Sequence, residues 1–223
     1  MSGELEDDFH HVRVRLEHDG ERVVRCRGEA LRIPWTTCPA AAGELVRMDG
    51  MPLVRSLLAV GSHTNARLHC THLFDTASLA VVHAALGRQE TEYSIAIPDR
   101  VEGRTEARIE RDGAEVVAWQ IDDQTITAPE PFAGRPLFGS GLAQWAEGTL
   151  DPQIAEACLL LQRSCVISMG RMFDMDQVPR ANALPRTPDG RCYTFAPERA
   201  ADALRNVGST RDFSTRPHDL LRR

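Results

Sequence analysis

The feature that most constrains the fold is a strict alternation near the start of the chain. Residues 12–16 read Val-Arg-Val-Arg-Leu. In an extended strand this pattern puts three aliphatic side chains on one face and two guanidinium groups on the other. His18-Asp19-Gly20 follows as a turn, and residues 22–33 read extended again until Pro34. The order predicts an antiparallel β-hairpin with one apolar face turned inward.

Helical signals come next. Cys38-Pro39 opens a helix, with proline at the first position, where its missing N–H costs nothing. Asp49-Gly50 ends it. A short helix is expected over residues 52–60, closed by Gly61. A long helix is expected over residues 71–86, apolar at Leu73, Ala77, Ala80, Val81 and Ala84 and stopped by Gly87. The second half opens with strands at 93–97, 105–110 and 115–121, with Asp112-Gly113 as a hairpin turn. A Pro- and Gly-rich loop follows, then a helix opened by Asp151-Pro152 and running to about residue 169. From residue 174 the chain is rich in Pro and Arg, and irregular structure with one short helix near 197–207 is expected. No internal repeat is present. The fold class is therefore α+β: an antiparallel sheet with helices on one face over residues 1–90, and a second antiparallel strand set with C-terminal helices over residues 91–223, packed together as one unit.

Composition removes several function classes. All 26 basic residues are arginine. Without lysine there can be no Schiff-base aldolase chemistry, no lysine-anchored pyridoxal cofactor and no P-loop lysine. A net charge of −6, with arginines spread along the chain, argues against a nucleic-acid partner. No apolar run is long enough to span a bilayer, and the acidic start of the chain does not read as a signal peptide, so a cytoplasmic protein with six reduced cysteines is expected.

Three polar segments carry the candidate chemistry: Glu-Asp-Asp-Phe-His-His at 6–11, Pro-Trp-Thr-Thr-Cys-Pro at 34–39 and Leu-His-Cys-Thr-His-Leu-Phe-Asp at 68–75. Cys38 reads as a helix N-cap, and Cys70 as an N-cap or the residue just before one. The unpaired N–H groups and positive dipole end there favour a thiolate. Each is equally readable as a small buried residue, which is how Cys26, Cys158, Cys165 and Cys192 are read. His72 and Asp75 lie three apart on one helix and can touch, and a carboxylate raises the basicity of a histidine; a surface helix pair explains the spacing as well. His10 and His11 enter a strand and point to opposite faces. His18, His63 and His218 read as solvent-exposed. Tyr93 and Tyr193 are the only phenols, available as proton donors or as amphipathic packing.

These strings, together with IPDRVEGRTEARIERDGA and GSTRDF, resemble over nearly the whole chain a bacterial family described only as a domain of unknown function. Residues 6–86 are also similar, more distantly, to the iron–sulfur scaffold proteins of the IscU and NifU type. Leu68-His69-Cys70 matches their LHC motif, Cys38 their middle cysteine, and Asp8 the aspartate of their Cys-Gly-Asp. Glu6 stands where their first cysteine would be, which makes the donor set harder and more zinc- or iron-like, or removes the site.

Three functions follow in order. The first resemblance implies a small-molecule enzyme: a non-redox carbon–carbon lyase of aromatic catabolism that releases formaldehyde from a lignin-derived phenolic dimer by acid–base chemistry, without a cofactor. Its candidate catalytic residues are Asp8, His10, His11, Cys38, Cys70, His72 and Asp75. Trp35, Thr37, Tyr93, Arg135 and Trp145 are its substrate-binding candidates, beside Phe132 and Phe138. The second resemblance implies a metal, sulfur or cluster carrier, with zinc or iron on Asp8, Cys38, His69 and Cys70. The third function is a non-catalytic interaction protein or homodimer.

Overall fold

A computed structural model of the chain describes residues 1–185 and 190–222; residues 186–189 and 223 of the expected irregular tail lie outside the described residues. The chain divides into two compact units, Met1–Arg88 with Asp174–Arg223, and Gln89–Phe173. The last fifty residues group with Met1–Arg88 and not with the second strand set.

The first unit is built on a three-stranded antiparallel sheet in the order β1 (Ser2–Glu6), β2 (His11–His18) and β3 (Val23–Arg32). The β2–β3 hairpin is the predicted one. Val12, Val14 and Leu16 are buried, while the arginines between them are more exposed. The turn forms because the Asp19 carboxylate accepts from the backbone N–H of Glu21 and Arg22. Strand β1 was not read from the sequence; its Ser-Gly-Glu-Leu-Glu is polar and shows no alternation strong enough to mark it.

Cys38–Met48 is helical as expected, but it winds as a 3-10 helix, and its N-cap is Thr37. Its buried row is Cys38, Ala41, Leu45 and Met48. The short helix α1 covers Leu57–Gly61, five residues later than the expected start, because the Ser56 hydroxyl caps it by accepting from Ala59 N–H. Helix α2 spans Thr71–Ala85 with Cys70 as N-cap, and it packs on β2 and β1. Leu73, Ala77 and Val81 complete the core formed by Val12, Val14, Leu45 and Met48. Gly28 lies on β3 beneath this contact: a Cβ there would stand 2.9 Å from both Leu45 Cδ1 and Leu73 Cδ2.

The second unit is a four-stranded antiparallel meander of β4 (Tyr93–Ala96), β5 (Arg104–Arg111), β6 (Ala114–Asp122) and β7 (Thr125–Ala128). Asp112 and Gly113 turn at φ +52° and +80°, as a tight hairpin turn requires. Ala107 and Ile109 of β5 and Val117, Trp119 and Ile121 of β6 face inward. Helix α3 (Gly141–Thr149) packs on α4 (Pro152–Ser168), which in turn packs on β5 and β6. The Asp151 carboxylate caps α4 by accepting from Gln153 N–H. The short helix α5 spans Pro197–Ala200, inside the expected region.

Gly28→Val forces the Leu45 and Leu73 methyl groups apart, so unfolding in denaturant should show a loss of about 1–3 kcal/mol. Gly43→Ala, where nothing lies within 4 Å of the added carbon, should leave stability nearly unchanged.

Candidate active site

The site starts at the turn between β1 and β2. Asp7 Oδ1 accepts from the backbone N–H of Phe9 at 2.8 Å and of His10 at 2.7 Å, and Asp7 N–H donates to the His10 carbonyl at 2.9 Å. This turn brings the His10 ring back onto its own carboxylate, with Nδ1 3.2 Å from Asp7 Oδ1. The other carboxylate oxygen faces α2, where His72 Nε2 lies 2.9 Å from Asp7 Oδ2. The two imidazoles stack, with centroids 3.7 Å apart and planes inclined at 26°. One carboxylate thus serves two histidines that are 62 residues apart in sequence.

The environment drives the two rings to opposite charge states. Burial, with the charge of His72 second, lowers His10 to about 4, against the opposing pull of Asp7. Burial also disfavours charge on His72, but the Asp7 carboxylate and then the Cys70 side chain outweigh it and raise His72 to about 10. Burial would raise the Asp7 carboxyl, yet the two imidazoles hold it well below the usual range. At neutral pH the arrangement is a neutral His10, an imidazolium His72 and a carboxylate between them. Separated values of this kind are what an acid–base pair needs.

Cys70, the N-cap of α2, favours the charged form of His72 two residues on and interacts electrostatically with Cys38 and Cys192. Cys38 Sγ is 3.3 Å from Thr194 Oγ1, which is itself 3.0 Å from Thr37 Oγ1. The Pro-Trp-Thr-Thr-Cys turn is thus tied to the C-terminal segment through Thr194. Of the two readings of Cys38, the thiolate is not favoured: burial and then the charge of Cys70 push its thiol up to about 12.

The remaining expected residues have other employment. Asp8 points to the C-terminal segment: its carbonyl accepts from Arg211 N–H at 2.8 Å and its carboxylate from Phe213 N–H at 3.3 Å. Asp7 holds the place expected for Asp8. His11 Nε2 lies 2.7 Å from Glu4 Oε1 on the sheet. Asp75 is half-buried, and the carboxylate that holds His72 is Asp7. His69 is fully buried, with Nε2 3.0 Å from Thr64 Oγ1 and its ring against Phe74. Trp35 is buried edge-on to Phe195 and 5.8 Å from the Arg205 guanidinium carbon. Tyr93, Arg135 and Trp145 belong to the second unit. There the Tyr93 hydroxyl donates to Glu156, and the Arg135 guanidinium stacks 3.5 Å over the Trp145 ring.

Among the described residues, Asp7, His10 and His72 are the three ligand-type donors that lie within 4.8 Å of one another. They are poorly aimed at a shared ion. An imidazole binds a metal in its ring plane about 2.0–2.1 Å from nitrogen. Two planes 3.7 Å apart and inclined at 26° meet only roughly 8 Å away, so both rings would have to turn. The set expected from the sequence, Asp8, Cys38, His69 and Cys70, is not gathered around one point, because Asp8 and His69 face other partners.

Asp7 was legible in principle. Asp-x-x-His with two following N–H groups is an Asx-turn signature that folds a histidine back on its carboxylate. Thr194 and Cys192 had no local signal; they reach Cys38 across more than 150 residues.

The class of protein defined so far is a two-unit α+β chain with a half-buried histidine–aspartate–histidine site. Comparison with protein-family models, curated proteins and solved structures returned no match.

The site sets the pH dependence of stability. Between pH 4 and 6.5 the unfolded His10 is protonated and the folded one is not, so stability is lost as pH falls through that window. Asp7, lowered in the fold, removes more stability below its ordinary value of 3.8. His72, raised in the fold, contributes stability that is complete below 6.5 and is lost as pH rises toward 10. Thermal unfolding should therefore peak near pH 6.5, and His72→Gln should flatten the decline between 6.5 and about 8, below the ordinary thiol value of 9.0 at which the buried cysteines begin to contribute.

Proposed function

We propose that the chain is a non-redox carbon–carbon lyase that uses His10 as base and His72 as acid on a small aromatic substrate. The observation that carries this reading is the Asp7 carboxylate set between two stacked imidazoles. The absence of lysine supports acid–base over Schiff-base chemistry. The substrate class, a lignin-derived phenolic dimer with a hydroxymethyl side chain, comes from the family resemblance of the sequence.

The step is redox-neutral. Neutral His10 takes the hydroxymethyl O–H proton, a carbonyl forms, and the carbon–carbon bond breaks to release formaldehyde. The freed electron pair becomes a carbon–carbon double bond and expels the neighbouring ether oxygen, which takes a proton from the His72 imidazolium. The two oxygens are three carbons apart, a span that rings stacked at 3.7 Å can serve together. Asp7 stabilises the charged ring and holds both in register.

Purified protein incubated with such dimers and an aldehyde trap should release formaldehyde and an alkene in equal amounts. Asp7→Asn and His72→Gln should each lower the rate by about 10²–10⁴-fold. A complete lack of turnover with every phenolic dimer would remove the substrate assignment.

A second reading is carriage of a metal or sulfur. Its support is the placing of Cys38 and Cys70 at two helix starts and the resemblance of residues 6–86 to the iron–sulfur scaffolds. It expects stoichiometric zinc or iron by elemental analysis, lost together with stability in Cys38→Ala and Cys70→Ala; folded, metal-free protein would count against it.

A further inference from the structure

Arg32 is the last residue of β3, across from His11, at a point where the β2–β3 register is irregular. Its side chain is only 13% exposed. Nη1 donates to the carbonyls of Asp8 at 2.9 Å and Ser209 at 3.1 Å. Nη2 donates to the carbonyls of Asp7 at 2.6 Å and His10 at 3.2 Å, and to the Glu6 carboxylate at 3.1 Å. Asp7 and His10 are the two ends of the turn that carries the site carboxylate and one of its rings. Three carbonyls of one four-residue turn thus converge on one guanidinium.

We infer that Arg32 is a positioning residue whose planar fork gathers the Asp7, Asp8 and His10 carbonyls and so fixes where the Asp7 carboxylate and the His10 ring meet His72. The inference rests on the acid–base reading of that site. A guanidinium can serve several acceptors in fixed directions, whereas an ammonium offers three donors from one point and an amide only two. With the fork gone, the part-buried Asp7 carbonyl loses its donor, the Asp8 and His10 carbonyls keep only the backbone N–H of Arg211 and of Asp7, and the turn relaxes. A displacement of about 1 Å at a catalytic group is enough to cost about 10²-fold in rate.

The test compares the intact wild-type chain with Arg32→Lys and Arg32→Gln by proton NMR and by turnover. Two signals report the geometry directly: the far-downfield N–H proton between His72 and Asp7, and the ring-proton shifts that His10 gains by stacking on His72. Arg32→Gln should lose both signals while unfolding stays cooperative. Its kcat should fall about 10²-fold with KM changed less than about threefold, and Arg32→Lys should recover part of each. An Arg32→Gln protein that is less stable but keeps both signals and kcat would show Arg32 to be a rivet of the fold alone and overturn the inference. If Arg32→Gln does not fold, unchanged signals in Arg32→Lys overturn it equally. If wild type turns over no dimer, the lyase reading falls and the NMR comparison still decides the role of Arg32.

Discussion

The Asp7 carboxylate organises the first unit around itself. It accepts from two backbone N–H groups of its own turn and faces an imidazole nitrogen on each side. A half-buried carboxylate keeps its charge when such donors replace the water it has lost. The requirement works in both directions. The carboxylate needs His72, so α2 must present its first turn to the β1–β2 connection. His72 needs the carboxylate, because a buried imidazolium without a counter-charge would lose its proton. His10 then stacks on a charged neighbour and stays neutral. The division of labour between the two rings follows from a single negative charge that satisfies only one of them fully.

Around that charge the fold is ordinary in its physics. The hairpin supplies an apolar face, and α2 and the Cys38–Met48 helix cover it. Gly28 removes the Cβ that would keep Leu45 and Leu73 from meeting over the sheet. The site therefore sits at the rim of a packed core, with rigid elements on two sides and an arginine-braced turn on the third. The Arg32 guanidinium and the Asp7 carboxylate divide the work: the carboxylate collects N–H donors of the turn and its neighbours, and the guanidinium collects the carbonyls.

The thiols show how place overrides type. Cys70 caps a fifteen-residue helix with a side chain that makes no capping hydrogen bond, and its neighbour is His72. Cys38 lies beside a helix start too, but it is closed in by Thr194 and by other sulfurs, and burial keeps it a thiol. A helix start by itself therefore does not make Cys38 an anion, because a helix terminus favours a thiolate only where the surroundings stay polar enough to hold one.

What the sequence determined by itself was whatever depends on neighbours within about one turn of helix or one hairpin. The alternation at 12–16 set β2, Asp112-Gly113 set the β5–β6 turn, and Asp151-Pro152 set the start of α4. The pairing of polar β1 with β2 was not readable, because its partner and not its own residues makes it a strand. The same distinction divides the site. That His10 and His72 carry candidate chemistry was legible from residue type and position; that they meet on one carboxylate was not. That Asp7 rather than Asp8 faces them was decided by the tertiary structure, since the two adjacent carboxylates differ only in direction. One turns to α2 and the other to Arg211 and Phe213, more than 200 residues away in sequence. A local pattern can place a side chain on the chain; only the packing of distant segments can say which of two neighbours is left facing the partner that keeps it charged.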